Sequence, residues 1–513
     1  MLLEELIKSL NIIDTRNYEG DLNIEGIAYH SERVKSDFLY VAIKGYITDG
    51  HKYINSSINN GAVAVVVEDF SDGINIPQIK VSNSREALSQ LSNKFYNSPS
   101  EHMRVIGVTA TNGKTTTTFM LNEIYEKANF TTGLIGSVMN KVGKRYVPAE
   151  LTTPESLDLH RLFGLMEKEG IEKVPMEVSS SALELYRVND VDFDIVSFNN
   201  FSREHIDQHG SFEKYWEAKS SLIRNAKEGS YALLNIDDAK IRTLISKTRA
   251  NVITYSQKNE NADIYLKDIE LIKGRAKFKV VVNREYRAFS NIIRKDEFQV
   301  ELGIPGYHSV ENAIVAIAIA LTDGIPKGKI QEGLKGFKGV ERRFEYIYEN
   351  DFLIIDDHFA NLKNINVSLE TLSKIDHKDL HLIYAIRGNR GITVNKENAE
   401  AVVAWKDKLN IKEIIGTKSI GAVTGKDMVS DEEEKVFKDT IESAGIKLNI
   451  YDTLEEAIEK ALKKVEKDDI VLLAGCQGMD KGAKIVLDYL YGIKPDINKE
   501  ELYKPIKKRV VGK

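Results

Sequence analysis

The sequence predicts an α/β protein made of successive doubly wound domains, and three observations carry that prediction. Near-continuous apolar runs recur along the chain: RVIGV (104–108), KVPMEV (173–178), DIVSF (194–198), FLIID (352–356), LHLIYAI (380–386) and DIVLLAG (469–475). Such runs mark strands covered on both faces, as in parallel sheets. Amphipathic helical stretches such as 115–128 and 453–465 lie between them, and strand–helix alternation is the pattern of doubly wound folds. The third observation is length, since 513 residues at roughly 150 per domain give about three domains.

Two seams divide the chain. The polar stretch NSPSEH (97–102) separates an N-terminal region from RVIGV, and KGFKG (335–339) precedes ERRFEYI. The expected domains are therefore 1–100, 101–338 and 339–513. Residues 251–300 alternate polar and apolar without helix signals, which predicts an antiparallel β insertion in the middle domain.

Composition narrows the function classes. A chain 42% hydrophobic and 29% charged is ordinary globular material. The balance of 71 Lys+Arg against 77 Asp+Glu lacks the basic signature of a nucleic-acid binder. The opening MLLEELIKSL carries two glutamates and reads as a short helix, not a signal peptide. The apolar run AIVAIAIAL (313–321) is too short to span a bilayer. A lone cysteine, Cys476, cannot form an internal disulfide and points to a reducing, cytoplasmic compartment. It reads as a packed thiol.

The sharpest chemical signal is GVTATNGKTTTT (107–118). It follows an apolar run and opens a helix, the context in which backbone N–H groups cradle phosphates. Thr111, Asn112, Gly113, Lys114, Thr115 and Thr116 form this candidate loop. Lys114 would reach the β and γ phosphates, and Thr115 would ligate Mg²⁺. Five residues separate Gly107 from Gly113, one more than the strict phosphate-loop pattern allows. Downstream, Glu177 ends KVPMEV, and His205 lies in FSREHIDQHG, fourteen residues before Lys219. Oxygen and imidazole donors suit Mg²⁺ or Mn²⁺, although a single such residue at a strand end is more often structural.

Taken in order, GVTATNGKTTTT, TTP (152–154), MEVSSSALELYRV (176–188), FNNFSREHIDQHG (198–210) and YWEAKSSLI (215–223) resemble the Mur ligases, and within them the MurE branch. IAYHSERVKSDFLYVAIKGYITDGHKYI (27–54) is similar to that branch's uridine-nucleotide domain. ERRFEYI, IIDDHFANL, AIRGNRG and LLAGCQG extend the likeness to the C-terminal region. The resemblance implies a three-domain Mur ligase architecture with a central P-loop ATPase domain and a Rossmann-like C-terminal domain. It implies an ATP-dependent ligase that activates a carboxylate as an acyl phosphate and joins it to an amino acid. ATP and two Mg²⁺ (or Mn²⁺), a UDP-linked peptide precursor and a free amino acid would be its ligands, with no nucleic acid, no membrane insertion and a monomeric state.

Carried over by motif, Lys114 and Thr115 would hold phosphate and the first metal, and Glu177 and His205 would coordinate metal. Lys219 would be carbamylated to bind a second ion. His308 and Asn312 resemble the adenine-side motif, and Arg343 and Asp357 the pair brought over ATP by the C-terminal domain. Ser31, Thr152, Thr153, Ser179 and Arg187 match positions that grip the UDP-linked substrate. Departures also stand out. Ala110 replaces a loop glycine, Ser181 stands at a histidine position, Ser309 at an asparagine position and Glu204 at an aspartate position. IIDDHFANL reads partly like MurF. No D-N-P-R motif appears in the expected window, IIGTKSIGAVTGK (414–426), which argues against diaminopimelate as the amino acid. Arg390 in AIRGNRG could still clamp the α-carboxylate of the incoming amino acid. Such a chain fits an archaeal pseudomurein peptide ligase or a bacterial MurE-like paralogue. Folylpolyglutamate, poly-γ-glutamate and cyanophycin ligases are the alternatives within the class, and the 30–54 segment argues against them. A silent nucleotide-binding regulator or a kinase that stops at phosphoryl transfer remain readings of other classes.

Overall fold

The computed structural model describes residues 1–20, 22–45, 48–202, 210–272, 274–494, 496–507 and 509–510. They pack as two compact units: Met1–Tyr265 with Val282–Lys295 and Val315–Pro326, and Leu266–Val281 with Asp296–Ile314 and Lys327–Lys513.

The first unit opens with the expected short helix, Leu3–Ile7. Strands β1 (Ile12–Arg16), β2 (Gly26–Ala28), β3 (Phe38–Val41), β4 (Ala62–Val67) and β5 (Gln78–Val81) form a sheet of order β1-β5-β4-β3-β2. Only β1 runs antiparallel, at the edge beside β5. β4, AVAVVV, is almost wholly buried, as β-branched residues in the middle of a two-sided sheet should be. Its two faces carry separate cores, around Leu39 and Val66 on one side and Tyr40 and Val65 on the other.

The second sheet of this unit holds the phosphate loop. Its strands are β6 (Arg104–Thr109), β7 (Gly133–Ile135), β8 (Met139–Val142), β9 (Arg145–Pro148), β10 (Lys173–Glu177), β11 (Ile195–Phe198), β12 (Tyr231–Asn235) and β13 (Asn251–Ser256). The order is β13-β12-β11-β6-β10-β7-β8-β9. β6 lies between β10 and β11, parallel to both. The chain leaves β6 toward one edge and later crosses to the other, so β6 ends at a topological switch point, where open α/β sheets bind ligands. Val108 pairs with Glu177 and Thr109 with Phe198, which sets the three strand ends on one rim.

The antiparallel insertion begins later than the sequence suggests, because β13 pairs in parallel with β12. β14 (Ile264–Ile272) and β15 (Arg275–Val282) are neighbours with two residues between them, a connection that only antiparallel strands allow. β16 (Tyr286–Ala288) and β17 (Asn291–Ile293) make an antiparallel hairpin, and β18 (Asp296–Pro305) lies beside β15. AIVAIAIAL falls within the buried helix Tyr307–Thr322.

In the second unit, β19 (Glu345–Glu349), β20 (Leu353–Asp357), β21 (Leu380–Ala385), β22 (Glu413–Thr417), β23 (Lys447–Tyr451) and β24 (Ile470–Gly475) form a sheet of order β19-β20-β24-β21-β22-β23. All neighbours but β19 and β20 are parallel. Helices cover both faces through two cores, one around Leu382 and Phe437, the other around Leu473 and Leu487. This is the expected Rossmann-like pattern, with its switch point between β21 and β24. Cys476 follows β24, 2% exposed, and its thiol donates to Phe359 O at 3.4 Å. Burial raises its pKa, as a packed thiol requires.

Candidate functional site

β6 ends at Thr109, and the chain turns through Ala110–Gly113 into the helix Lys114–Lys127. Gly113 adopts φ +86° at the N-cap, a conformation glycine adopts at no steric cost. No side chain caps this helix end, so its first amides are left to an anion. Lys114 Nζ folds over the loop, donating to Ala110 O at 2.9 Å and Thr111 O at 3.2 Å. Thr116 lies in the helix's first turn and is half-buried.

The loop is braced from the end of β11. Asn200 Oδ1 accepts from Asn112 N at 3.0 Å, and its Nδ2 donates to Asn112 O at 2.9 Å. Thr111 N donates to Asn200 O at 3.0 Å, and Ser202 N donates to Thr111 Oγ1 at 3.0 Å. Lys219, on the helix Phe212–Arg224, is 1% exposed and donates from Nζ to Ala110 O at 2.7 Å. His205 lies outside the described residues.

Glu177, 1% exposed, forms the centre of a second cluster. Its Oε2 accepts from Thr115 Oγ1 at 3.0 Å and Ser137 Oγ at 3.1 Å, while Oε1 accepts from Ser137 N at 2.8 Å. A Cβ at Gly136 would sit 2.4 Å from Oε1, so this carboxylate needs glycine beside it. Ser137 Oγ also lies 3.0 Å from Thr152 Oγ1, whose hydroxyl can donate to it while the serine proton goes to Glu177. Thr153 Oγ1 donates to Glu177 O at 2.8 Å and accepts from Ser179 N at 3.1 Å. Ser179 caps the short helix Ser180–Glu184. Arg187 donates to Thr153 O at 3.1 Å and pairs with Glu155 at 2.7 Å. Thr115, Glu177, Thr152, Thr153, Ser179 and Arg187 thus share one hydrogen-bonded chain. Ser31 sits in a 3₁₀ turn of the N-terminal sheet, its carbonyl held by Asn60 Nδ2 at 2.9 Å.

A hydroxyl and a buried carboxylate 3.0 Å apart are hard oxygen donors of the kind Mg²⁺ selects. Thr115 and Glu177 therefore fit one ion. Lys219 as an ammonium is a cation and holds none. Among the described residues no three His, Cys, Asp or Glu side chains are placed to hold a metal ion.

The remaining candidates lie in the second unit. His308 and Asn312 stand one turn apart on the helix Tyr307–Thr322. Burial pushes the His308 pKa down to about 4, and Thr371 Oγ1 lies 3.3 Å from its Nδ1. Arg343 is exposed between Arg342 (φ +54°) and Phe344 (φ +52°). Arg342, which the sequence did not single out, is buried and donates to Cys476 O at 2.8 Å and to Asp356 at 3.3 Å. Asp357 is 4% exposed and accepts from Ser368 Oγ, and burial raises its pKa to about 6. Arg390, 40% exposed, follows β21 at the switch point and stands 3.7 Å from Asp427. Of the residues that shape these sites, Ser137 and Asn200 had a sequence signal: each sits just beyond a strand end.

The first unit therefore presents a nucleoside-triphosphate site of the phosphate-loop class. Family models extend that class along the chain: the Mur ligase family catalytic domain matches residues 23–96, the Mur ligase middle domain 108–320, and the Mur ligase glutamate ligase domain 342–477. A UDP-N-acetylmuramoyl-L-alanyl-D-glutamate–2,6-diaminopimelate ligase of Caldanaerobacter subterraneus is 35% identical over 479 residues, covering 93% of this chain and 94% of that protein. A solved structure of a ligase of that name superposes with TM-score 0.65 at 23% identity over 88% of this chain and 89% of that one. A pseudomurein peptide ligase type C from Methanothermus fervidus superposes with TM-score 0.51 at 18% identity over 88% of this chain and 94% of that one. The chain belongs to the Mur ligase family, the ATP-dependent amide ligases, and is MurE-like.

Proposed function

We propose that this chain uses ATP to join an amino acid to the peptide carboxylate of a UDP-linked N-acetylmuramoyl peptide, working as a monomer in the cytoplasm. The observation that carries the reading is the hydrogen-bonded chain from Thr115 through Glu177 and Ser137 to Thr152. It ties the phosphate loop to residues that match the family's substrate grip. Residues 1–100 would seat the uridine end, 101–338 the ATP, and 339–513 the amino acid.

In this reading the loop amides of 111–116 and Lys114 hold the β and γ phosphates, and Thr152, Thr153, Ser179 and Arg187 orient the peptide with Ser31 at its nucleotide end. The substrate carboxylate attacks the γ-phosphorus, the bond to the bridging oxygen of ADP breaks, and an acyl phosphate forms. The amine of the incoming amino acid then attacks that carbonyl, phosphate leaves, and the amine proton passes to solvent. Thr115 and Glu177, with His205, would hold Mg²⁺, and a carbamylated Lys219 would hold a second ion. Such ions screen the charge of phosphates and carboxylate as they approach. His308 and Asn312 would meet the adenine, Arg343 and Asp357 would close on ATP, and Arg390 would take the α-carboxylate of the amino acid.

The absent D-N-P-R motif in 414–426 supports an amino acid other than diaminopimelate, and leaves a pseudomurein-type acceptor as the second reading. The test is phosphate release with ATP, Mg²⁺ and UDP-N-acetylmuramoyl-L-alanyl-D-glutamate against twenty amino acids plus diaminopimelate, with mass spectrometry of the products. Amide formation with one of the twenty supports the proposal. Diaminopimelate as the preferred amine overturns the specificity, and phosphorylated product without amide overturns the ligase reading for this substrate.

A further inference from the structure

The loop that carries Arg390 is wound around a single buried carboxylate, that of Glu433. Asn389 N donates to its Oε2 at 3.0 Å, and Arg390 N and Gly391 N donate to its Oε1 at 2.8 and 2.7 Å. Glu433 is 3% exposed and sits in the first turn of the helix Asp431–Ser443. It also closes a capping box with Ser430, whose amide donates to Oε2 at 3.0 Å. Three successive amides converging on one carboxylate make a backbone nest, formed here by Asn389 (φ +54°) and Gly391 (φ +84°).

Two further contacts fix the same loop. Asn395, fully buried, donates to Arg387 O at 2.8 Å. Gly388 lies so close to the 427–428 backbone that a Cβ there would meet Asp427 O at 2.1 Å. The loop is thus pinned to the connection leading from β22 to the helix Asp431–Ser443, the segment where D-N-P-R is missing. The amides of 389–391 are already taken by Glu433, while the helix Ile392–Val403 that follows has no side-chain cap of its own. With those three loop amides taken, the loop's own means of meeting an incoming carboxylate is a side chain, and Arg390, 40% exposed and 3.7 Å from Asp427, is its exposed arginine.

We infer that Glu433 is a positioning residue for the amino-acid substrate: its carboxylate holds the 389–391 nest and so aims the Arg390 guanidinium. The inference rests on the reading that Arg390 clamps an amino-acid carboxylate. A preorganised guanidinium loses less entropy on pairing than a mobile one.

The full chain is assayed for amide formation with the amino acid that the wild-type enzyme couples fastest from the twenty plus diaminopimelate. Glu433→Gln, Arg390→Ala and the double variant are compared. The expected result for Glu433→Gln is an amino-acid KM raised about tenfold, with ATP KM and kcat within about twofold of wild type. Arg390→Ala should raise the same KM at least as far, and the double variant should be no worse than Arg390→Ala alone. Glu433→Asp, which keeps the charge on a shorter arm, should recover part of the loss. An unchanged KM in Arg390→Ala removes the Arg390 reading and the inference with it. A raised KM in Arg390→Ala with normal Glu433→Gln, or additive effects in the double variant, overturns the positioning role alone. Equal losses in kcat and in all three substrate KM values would mark Glu433 as merely structural and likewise overturn it.

Discussion

Lys114 and Lys219 reach the same acceptor: the Ala110 carbonyl takes a hydrogen bond from Lys114 Nζ at 2.9 Å and from Lys219 Nζ at 2.7 Å. Two ammonium groups on one carbonyl repel each other, and Lys219 is buried, where a charge is expensive. Converting Lys219 to a carbamate would replace repulsion by attraction and supply an anionic oxygen pair. The expected outcome is that enzyme depleted of CO₂ loses activity and regains it on adding bicarbonate. Lys219→Ala should fall by about two orders of magnitude or more in kcat and be partly restored by acetate or formate, small carboxylates that can occupy the vacated space. Rates indifferent to bicarbonate and no response to carboxylates would leave Lys219 a plain ammonium.

The Thr115–Glu177 contact gives a second prediction. Both residues are proposed to serve one ion, so their losses should overlap. Thr115→Val and Glu177→Gln are each expected to cut kcat by about 10²-fold or more, and the double variant should fall little further. Raising Mg²⁺ should recover more activity in Thr115→Val than in Glu177→Gln, because the carboxylate supplies the charge. Fully multiplicative losses would show that the two side chains act separately.

Asn200 matches the backbone of Asn112 atom for atom, its amide pairing with both N–H and C=O. Each bond is worth about 1 kcal/mol, so Asn200→Ala is expected to raise the ATP KM about tenfold. Asn200→Asp keeps the acceptor and loses the donor, and should fall between. Equilibrium binding of ADP to the three proteins checks the order.

How far the fold and site could be read from the chain depends on the reach of each interaction. β6, β10, β11, β20, β21 and β24 were legible because a strand buried on both faces must be apolar throughout. The phosphate loop was legible because its chemistry sits in consecutive residues. Glu433 was not, for it lies 42 to 44 residues beyond the amides it holds, and a glutamate in DEEEK (431–435) looks like any solvated helix start. Arg342 was passed over for Arg343 because two adjacent arginines share one composition signal, and only the backbone turn decides which is buried. β13 falls in the stretch read as the insertion because alternation alone does not tell a half-exposed strand in parallel pairing from an antiparallel one.

Asp357 links the site to pH. Burial raises its pKa from 3.8 to about 6 against the pull of Ser368 and Arg343. A raised folded-state pKa means the contribution to stability is full below 3.8 and is lost as pH rises through about 6. The amplitude is on the order of 3 kcal/mol. Asp357→Asn should therefore gain on wild type between pH 5 and pH 7.5. Urea unfolding followed by Trp405 fluorescence in a Trp216→Phe background reports on this unit. A stability difference that does not change with pH would mean that Asp357 is ionised throughout.

His160 should give the opposite slope. It is fully buried on the helix Ser156–Lys168, edge-on to Phe163 at 6.2 Å, and neither ring nitrogen finds a hydrogen-bond partner among the described residues. Burial alone lowers its pKa from 6.5 to about 4. The folded protein holds the neutral ring while the unfolded chain takes up a proton. Stability is therefore full above pH 6.5 and is lost as pH falls through about 4, by roughly 3 kcal/mol. His160→Phe keeps an aromatic ring and removes both polar atoms, an exchange that costs little or stabilises. It should match or exceed wild type at pH 7 and pull ahead progressively toward pH 4.5. Trp216 belongs to the same unit and is 9% exposed, so its fluorescence in a Trp405→Phe background follows the relevant transition. If the urea midpoints of His160→Phe and wild type fall in parallel over that range, the acid sensitivity of this unit has another source.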